Sequence, residues 1–488
     1  MRKLKTIATL LIVAIMLASS VAPVFASPYL GYSYNFWGQM VPAPVAYEPT
    51  RTVSALDICP SLVAFNNPMD LSVSPDENIY LLDTGNNRIV VFDRDLTLLR
   101  VIDSFDNNGA EDTFNRPNGI FVCHSFNIHI ADTENRRVVI LDTYGNLLSM
   151  IYEPDLGDID DVVDFRPMRV VADRAGRVYV IVMHVFEGIM RFDTDGQFFG
   201  YFGTIDVRVS AADLFWRMIA TQEQRERQRR FIPTEFTGID VDNYGFVFAT
   251  HSDSVGGSDQ VMRLNPRGNN VLRNLNPNTS INGLQTRGIH TDLSVFVDVV
   301  TRPNGMYSVL DATRSRVYTY DSEGNLLYVF SGEGSLMGMN RRPVAIDAIG
   351  DSIIILDSLR GRLVYFEPTQ YGQLINEAVA LRYQGDEVGS VAIWQQVLLV
   401  NEHSELAFTG IGRAHLLDGQ YILAMDYLRR GMDLRYYSMA LARRREEFIV
   451  DNLPIGLSGG ALVTAALVSR SIYVKHKNKG KYQEEDIL

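Results

Sequence analysis

Lysine is missing from the middle of this 488-residue chain. All six lysines fall in Met1–Lys5 or after Arg470, and the stretch from Ser27 to Val450 sets 37 arginines against 54 acidic residues. A body of net charge about −17 has no basic surface for phosphates, which excludes nucleic acid as a partner and suits a soluble ectodomain. Cysteine is nearly absent. Cys59 and Cys123 are too few for a disulfide framework; in an exported chain they can pair, but a core of this size needs no staple. Also lacking are zinc-type His/Cys spacing, a Gly-x-Ser-x-Gly elbow and a phosphate-binding loop. His124 and His129 bracket a strand turn and point to opposite faces. Asp193-Thr-Asp195-Gly196 and Asp240-Val-Asp242-Asn-Tyr-Gly245 miss the third acidic ligand and the closing glutamate of a calcium loop, and read as turns and strand ends. No catalytic residue, metal or cofactor is indicated.

What is present is a repeat. Asp83, Asp132, Asp311 and Asp357 each end an apolar run and are followed five residues later by Arg88, Arg137, Arg316 and Arg362. Each unit has the same order. Pro68-Met-Asp-Leu-Ser-Val, Asn78-Ile-Tyr-Leu-Leu-Asp83, Arg88-Ile-Val-Val-Phe-Asp93 and Leu98-Leu-Arg-Val-Ile102 read as four strands divided by Asn, Asp and Pro turns. Further units begin at Pro117, Pro167, Phe236, Phe296 and Pro343; units three and four lack the Asp/Arg pair. Six such units predict a mainly β chain closed into a six-bladed propeller over residues 51–368, because closure removes the free sheet edges.

The pattern Pro-x-Gly-Ile…Asp-Thr-x-Asn-x-Arg-Val…Asp…Gly, clearest from Pro117 to Gly145, resembles the NHL repeat family. The resemblance implies that Asp and Arg are a blade-locking pair, a charge-assisted hydrogen bond bracing the hairpin between strands two and three. It fixes no activity, since relatives include lyases, lactonase-like enzymes, sensor ectodomains and plain binding modules.

Both ends speak of a membrane. Arg2, Lys3 and Lys5 precede the apolar run Ile7–Ala18 and the small-residue pattern Val24-Phe-Ala26, which reads as a signal peptide over residues 1–26. Leu453–Val474 is largely apolar and is followed by Lys475, Lys477, Lys479 and Lys481. That predicts one transmembrane helix, with the tail 475–488 in the cytoplasm and the body outside the cell membrane. The alternative is an amphipathic tail helix.

Between propeller and span, residues 369–450 turn helical. Gly385 and Gly419, Ala378 and Gly412, Ser390 and Ala424, and Trp394 and Leu428 all stand 34 residues apart. Small residues at that step resemble tetratricopeptide repeats, with helices at Tyr371–Tyr383, Glu387–Val400, Ser404–Leu417, Gln420–Gly431 and Leu434–Phe448. A groove there, including Trp394, is one candidate partner surface. A second is the insertion Val207–Phe231, where Leu214, Phe215 and Met218 make an apolar stripe beside Arg225 and Arg229. The leading expectation is an extracytoplasmic binding or scaffold protein for a protein or glycan partner. The alternatives are a metal-dependent lactonase-like hydrolase or lyase on the propeller axis, and an accessory subunit of a transport or cell-envelope complex.

Overall fold

The computed structural model describes residues 28–154, 164–203, 235–251, 260–272 and 294–485. The chain divides into two compact units, Met1–Gln373 and Leu374–Leu488. The expected signal peptide, residues 1–26, and the insertion 207–231, with Leu214, Phe215, Met218, Arg225 and Arg229, lie outside the described residues.

The first unit is the six-bladed β-propeller. Blade 1 is an antiparallel meander of Asp70–Val73, Ile79–Asp83, Arg88–Phe92 and Leu98–Ile102. Blade 2 follows with Gly119–Val122, Ile128–Asp132, Arg137–Leu141 and Leu147–Ile151, and blade 3 with Pro167–Ala172, Val178–Val182, Ile189–Phe192 and Phe198–Phe202. Blade 4 has three strands among the described residues, Phe236–Val241, Val247–His251 and Val261–Leu264. Blade 5 is Phe296–Thr301, Tyr307–Asp311, Arg316–Tyr320 and Leu326–Phe330. Blade 6 takes Pro343–Ile349, Ser352–Asp357 and Arg362–Pro368 from its own stretch of chain, and its outermost strand is Tyr47–Val53. Leu363 pairs with Val53 and Pro368 with Tyr47, so the ring is closed by a strand from the start of the chain. The propeller therefore begins at Tyr47, four residues before the expected boundary.

Position in the blade explains the hydrophobic pattern. Middle strands are covered on both faces by neighbouring blades, and Ile79–Asp83, Ile128–Asp132 and Tyr307–Asp311 are buried at every residue. Outer strands keep one wet face: Leu99 and Val101 are exposed while Ile102 is buried. Apolar clusters lie between successive blades, as where Leu82, Ile89 and Val91 of blade 1 meet Ile120, Ile130 and Val139 of blade 2. Each such side chain contributes roughly 1.5–3 kcal/mol by leaving water. Cys59 and Cys123 are free thiols.

The second unit is helical: α1 Gln370–Tyr383, α2 Glu387–Val400, α3 Glu405–Leu417, α4 Tyr421–Arg430 and α5 Leu434–Glu485. The first four lie within a residue of the predicted bounds. Small residues at the 34-residue step sit at close approaches. Ala378 and Ala424 are fully buried, and a Cβ on Gly412 would stand 2.6 Å from Leu428 Cγ. Trp394, expected at a partner surface, is instead a core residue, 1% exposed. Its ring lies against Gly410, where a side chain would collide with the indole. The last helix does not stop at Phe448. It runs for 52 residues through Pro454, about 78 Å at 1.5 Å per residue, and every residue from Arg445 to His476 is exposed. Leu434–His476 contains a stretch long and apolar enough to cross a membrane.

Candidate functional site at the propeller axis

The repeated motif resolves into a clamp. In blade 1 the Asp83 carboxylate accepts from Arg88 Nε at 2.8 Å and from the Asn66 backbone N–H at 2.7 Å. Arg88 also donates to the Val63 carbonyl (2.6 Å), and Asn86 to the Ala64 carbonyl (3.0 Å). Thr84 points the other way, donating to the Pro117 carbonyl at the start of blade 2 (2.7 Å). Blade 2 repeats the scheme. Asp132 accepts from Arg137 Nε (2.9 Å) and the Asn115 N–H (2.8 Å), while Thr133 donates to the Pro167 carbonyl of blade 3 (2.6 Å). Arg137 further grips Asp112 with both terminal nitrogens, at 2.7 and 2.9 Å, which holds the Asp112 carboxyl down at about 2. The pairs thus do more than brace their own hairpin. They tie it to the connection arriving from the preceding blade and to the first strand of the next.

The two later copies vary the chemistry. Asp357 faces Arg362 at 3.8 Å and Arg360 at 3.7 Å, and both arginines donate to the Met339 carbonyl. In blade 5 the Arg316 guanidinium lies over the Tyr32 ring, 5.0 Å from its centroid. Asp311 there accepts from the Val295, Thr313 and Arg314 N–H groups. The residue before each arginine (Asn87, Arg136, Ser315, Gly361) has φ between 52° and 54°, a left-handed turn after which Arg88, Arg137 and Arg362 face their carboxylates while Arg316 turns to Tyr32.

A second polar set, one residue from each of five blades, was not recognised as a set in the sequence. The first strands ring the axis, each packed on the next and the sixth on the first. They carry Asp70, Arg169, Asp240, Asp298 and Asp347. Four of these are latches to the following blade. Asp70 accepts from the Ile120 N–H (2.9 Å) and Asp240 from the Thr301 N–H and hydroxyl (2.6 and 2.8 Å). Asp298 accepts from the Ile346 N–H (2.9 Å) and Asp347 from the Val73 N–H (2.6 Å). Arg169 of blade 3 reaches across the axis, pairing with Asp70 of blade 1 and donating to the Val344 carbonyl of blade 6 at 2.8 Å. Burial raises the carboxyls, Asp298 to about 7 against the opposing pull of Arg169, and Asp240 to about 6. Burial raises Asp347 too, and the nearby Asp240 adds to it. The legible signal was an acid at the first, third or fifth residue of the first strand of a unit.

At one mouth of the ring, turns of blades 2, 3 and 4 bring exposed His124, Arg174 and Asn243 together. His124 Nε2 lies 2.9 Å from Asn243 Oδ1 and 3.1 Å from Arg174 Nη2. His129 is buried in blade 2, and burial lowers it to about 4. Asp193 and Asp242 each cap their own hairpin turn through backbone N–H groups. Among the described residues no three His, Cys, Asp or Glu side chains converge as metal ligands.

Closed ring, six blades and outermost strand from the N-terminal side define a six-bladed β-propeller. Residues 65–92, in and just before blade 1, match the NHL repeat family; blade 2, with the fuller motif, lies outside that match. Virginiamycin B lyase from Staphylococcus aureus is similar in structure at 10% identity, covering 66% of this chain and 99% of its own, with a TM-score of 0.41. A gluconolactonase from Xanthomonas campestris gives 10% identity, 71% and 99% coverage and a TM-score of 0.38. A PQQ-bound aldose sugar dehydrogenase from Streptomyces coelicolor gives 13%, 67%, 100% and 0.40. Likeness at this level carries no functional argument. No curated protein matches the sequence.

Proposed function

We propose that the chain is a membrane-anchored, extracytoplasmic binding or scaffold protein that presents a propeller and a tetratricopeptide-like helical unit to a protein or glycan partner. The observation that carries this reading is α5. One helix supplies both the face that packs on α4, where Ala440 is fully buried, and the exposed apolar stretch that ends at Lys475. A platform built on its own membrane rod is suited to holding partners at a surface. The axial carboxylates support binding over catalysis, because each latch gives one oxygen to a backbone N–H of the neighbouring blade, and Asp70, Asp240 and Asp347 give the other to the next N–H of their own strand.

Protease added to whole cells should remove the propeller while sparing an epitope fused after Leu488, and truncation before Asn452 should release the remainder from membranes. A truncated chain that still sediments with membranes would overturn the anchor. The second reading, an enzyme working at the axis, draws on Asp240 and Asp298, which burial holds near neutral. One tightly held calcium or zinc per purified chain, lost in Asp240→Asn, would move the protein to that class.

A further inference from the structure

Architecture repeats along this chain; a binding site need not. In five blades the turn between the first and second strands closes through the same bond, from a backbone N–H to the carbonyl four residues on, starting at Ser74, Cys123, Asp173, Asp242 and Arg302. The next residue in each is Pro75, His124, Arg174, Asn243 and Pro303. Prolines fix the turns of blades 1 and 5, whereas blades 2, 3 and 4 set three different polar side chains at one structural position. Those three meet. His124 of blade 2 reaches Asn243 of blade 4, past the blade between them, and Arg174 touches both.

Their contacts form a triangle that cannot be fully satisfied. Arg174 Nη2 stands 3.1 Å from His124 Nε2 and 3.0 Å from Asn243 Oδ1, and Nε2 stands 2.9 Å from Oδ1. With Nε2 bare, two lone pairs oppose each other along the short side. With Nε2 protonated, its N–H opposes an N–H of Arg174. Turning the Asn243 amide over only sets Nδ2 against the guanidinium. All three residues are exposed, and among the described residues Arg174 pairs with no carboxylate. The acids that start the turns of blades 3 and 4 are taken, Asp173 by Arg177 at 2.6 Å and Asp242 by Arg263 at 3.2 Å.

We propose that this triad binds the carboxylate of an acidic sugar in a glycan partner. The proposal rests on the reading of the chain as a binding protein and names what this mouth of the ring holds. One carboxylate oxygen that takes the Nε2–H of His124, and another that takes an N–H of Arg174, remove the mismatch; Asn243 Oδ1 keeps the second N–H of Nη2. One guanidinium matches one negative charge, and the acidic body around it disfavours a doubly charged phosphate. A sugar is favoured over a protein because the site is three side chains wide, far short of the ~800 Å² that a stable protein interface covers on each partner. Tyr244, next in the blade 4 turn and 68% exposed, offers an apolar ring to a pyranose face.

Calorimetric titration of the full chain, in detergent micelles, with tri-galacturonic acid tests it. Wild type should bind this probe and not its methyl ester, which keeps the rings and loses the charge. Arg174→Gln should weaken binding about tenfold at an unchanged melting temperature. Asn243→Asp, which offers Arg174 a carboxylate from within the chain, should abolish binding in a folded protein. No binding by wild type, or equal binding by Arg174→Gln, overturns the site. So does preference for a glutamate-rich peptide over the uronate, which would make it a peptide site. Pull-down from intact membranes reports the wider reading separately. A partner recovered equally by wild type and Arg174→Gln overturns the triad alone; a wild type that recovers no partner and binds no uronate overturns both.

Discussion

Blades 2 and 3 do the same topological job with opposite chemistry. Blade 2 joins its central hairpin to the incoming connection through Asp132, Asn135 and Arg137, all hydrogen-bonded. Blade 3 has no such motif. Its hairpin turns at His184, in the left-handed region at φ 61°, and tucks Val185 into the apolar cluster that it shares with Phe165 and Phe192. Phe165, on the incoming connection, is fully buried and meets Phe192 edge-on at 6.0 Å. A polar clamp must be satisfied atom by atom and so leaves a recognisable pattern. An apolar plug needs only volume, and leaves none.

The comparison breaks most sharply at the plug. Phe165→Ala should lower unfolding free energy by about 4 kcal/mol, because it removes a buried ring and leaves a cavity. Urea denaturation of the purified chain measures it, and a loss below about 1 kcal/mol would mean that the connection is not held there. Arg137→Ala should come next, near 3 kcal/mol, since Asp132 is left buried without its cation. The same loss with any partner affinity unchanged in the folded protein would confirm a clamp; lost affinity at unchanged stability would make it a site.

The axis gives the smallest effect and the one with a sign. In the folded chain Asp240 sits at about 6 and Asp298 at about 7, above the ~3.9 of an unfolded carboxyl. The folded state therefore holds the extra protons. Their contribution is full below about pH 4 and is lost as pH rises through 6 and 7. Denaturation at pH 5 and pH 8 should differ by about 1–3 kcal/mol in favour of the acid side. Asp298→Asn should flatten that slope, whereas Asp193→Asn, in an exposed turn, should not.

Much of this was legible. The blade starts at Pro167, Phe236, Phe296 and Pro343 follow from turn residues and apolar runs, and each begins a strand. Gly385 and Gly419 lie in the left-handed region between helices, as their 34-residue spacing suggested. Two things were hidden for a physical reason. Tyr47–Val53 pairs with a strand more than 300 residues away, and local pattern carries no record of such a partner. The axial carboxylates meet only because the ring brings one from each of four blades to the centre. Trp394 was misjudged because a large aromatic serves a core and a binding groove equally well, and burial alone tells them apart.

The strand that closes blade 6 also sets an order of events. Tyr47–Val53 emerges early in synthesis, yet its partner Arg362–Pro368 emerges last of all the propeller strands. The closing strand must wait unpaired until the final blade has been delivered. Blades can form as local meanders as they appear, but the ring as a whole can lock only afterwards, through a contact of very high sequence separation. If the chain is exported as proposed, this delay is an advantage, since the finished, untranslocatable ring cannot exist before nearly the whole propeller has passed.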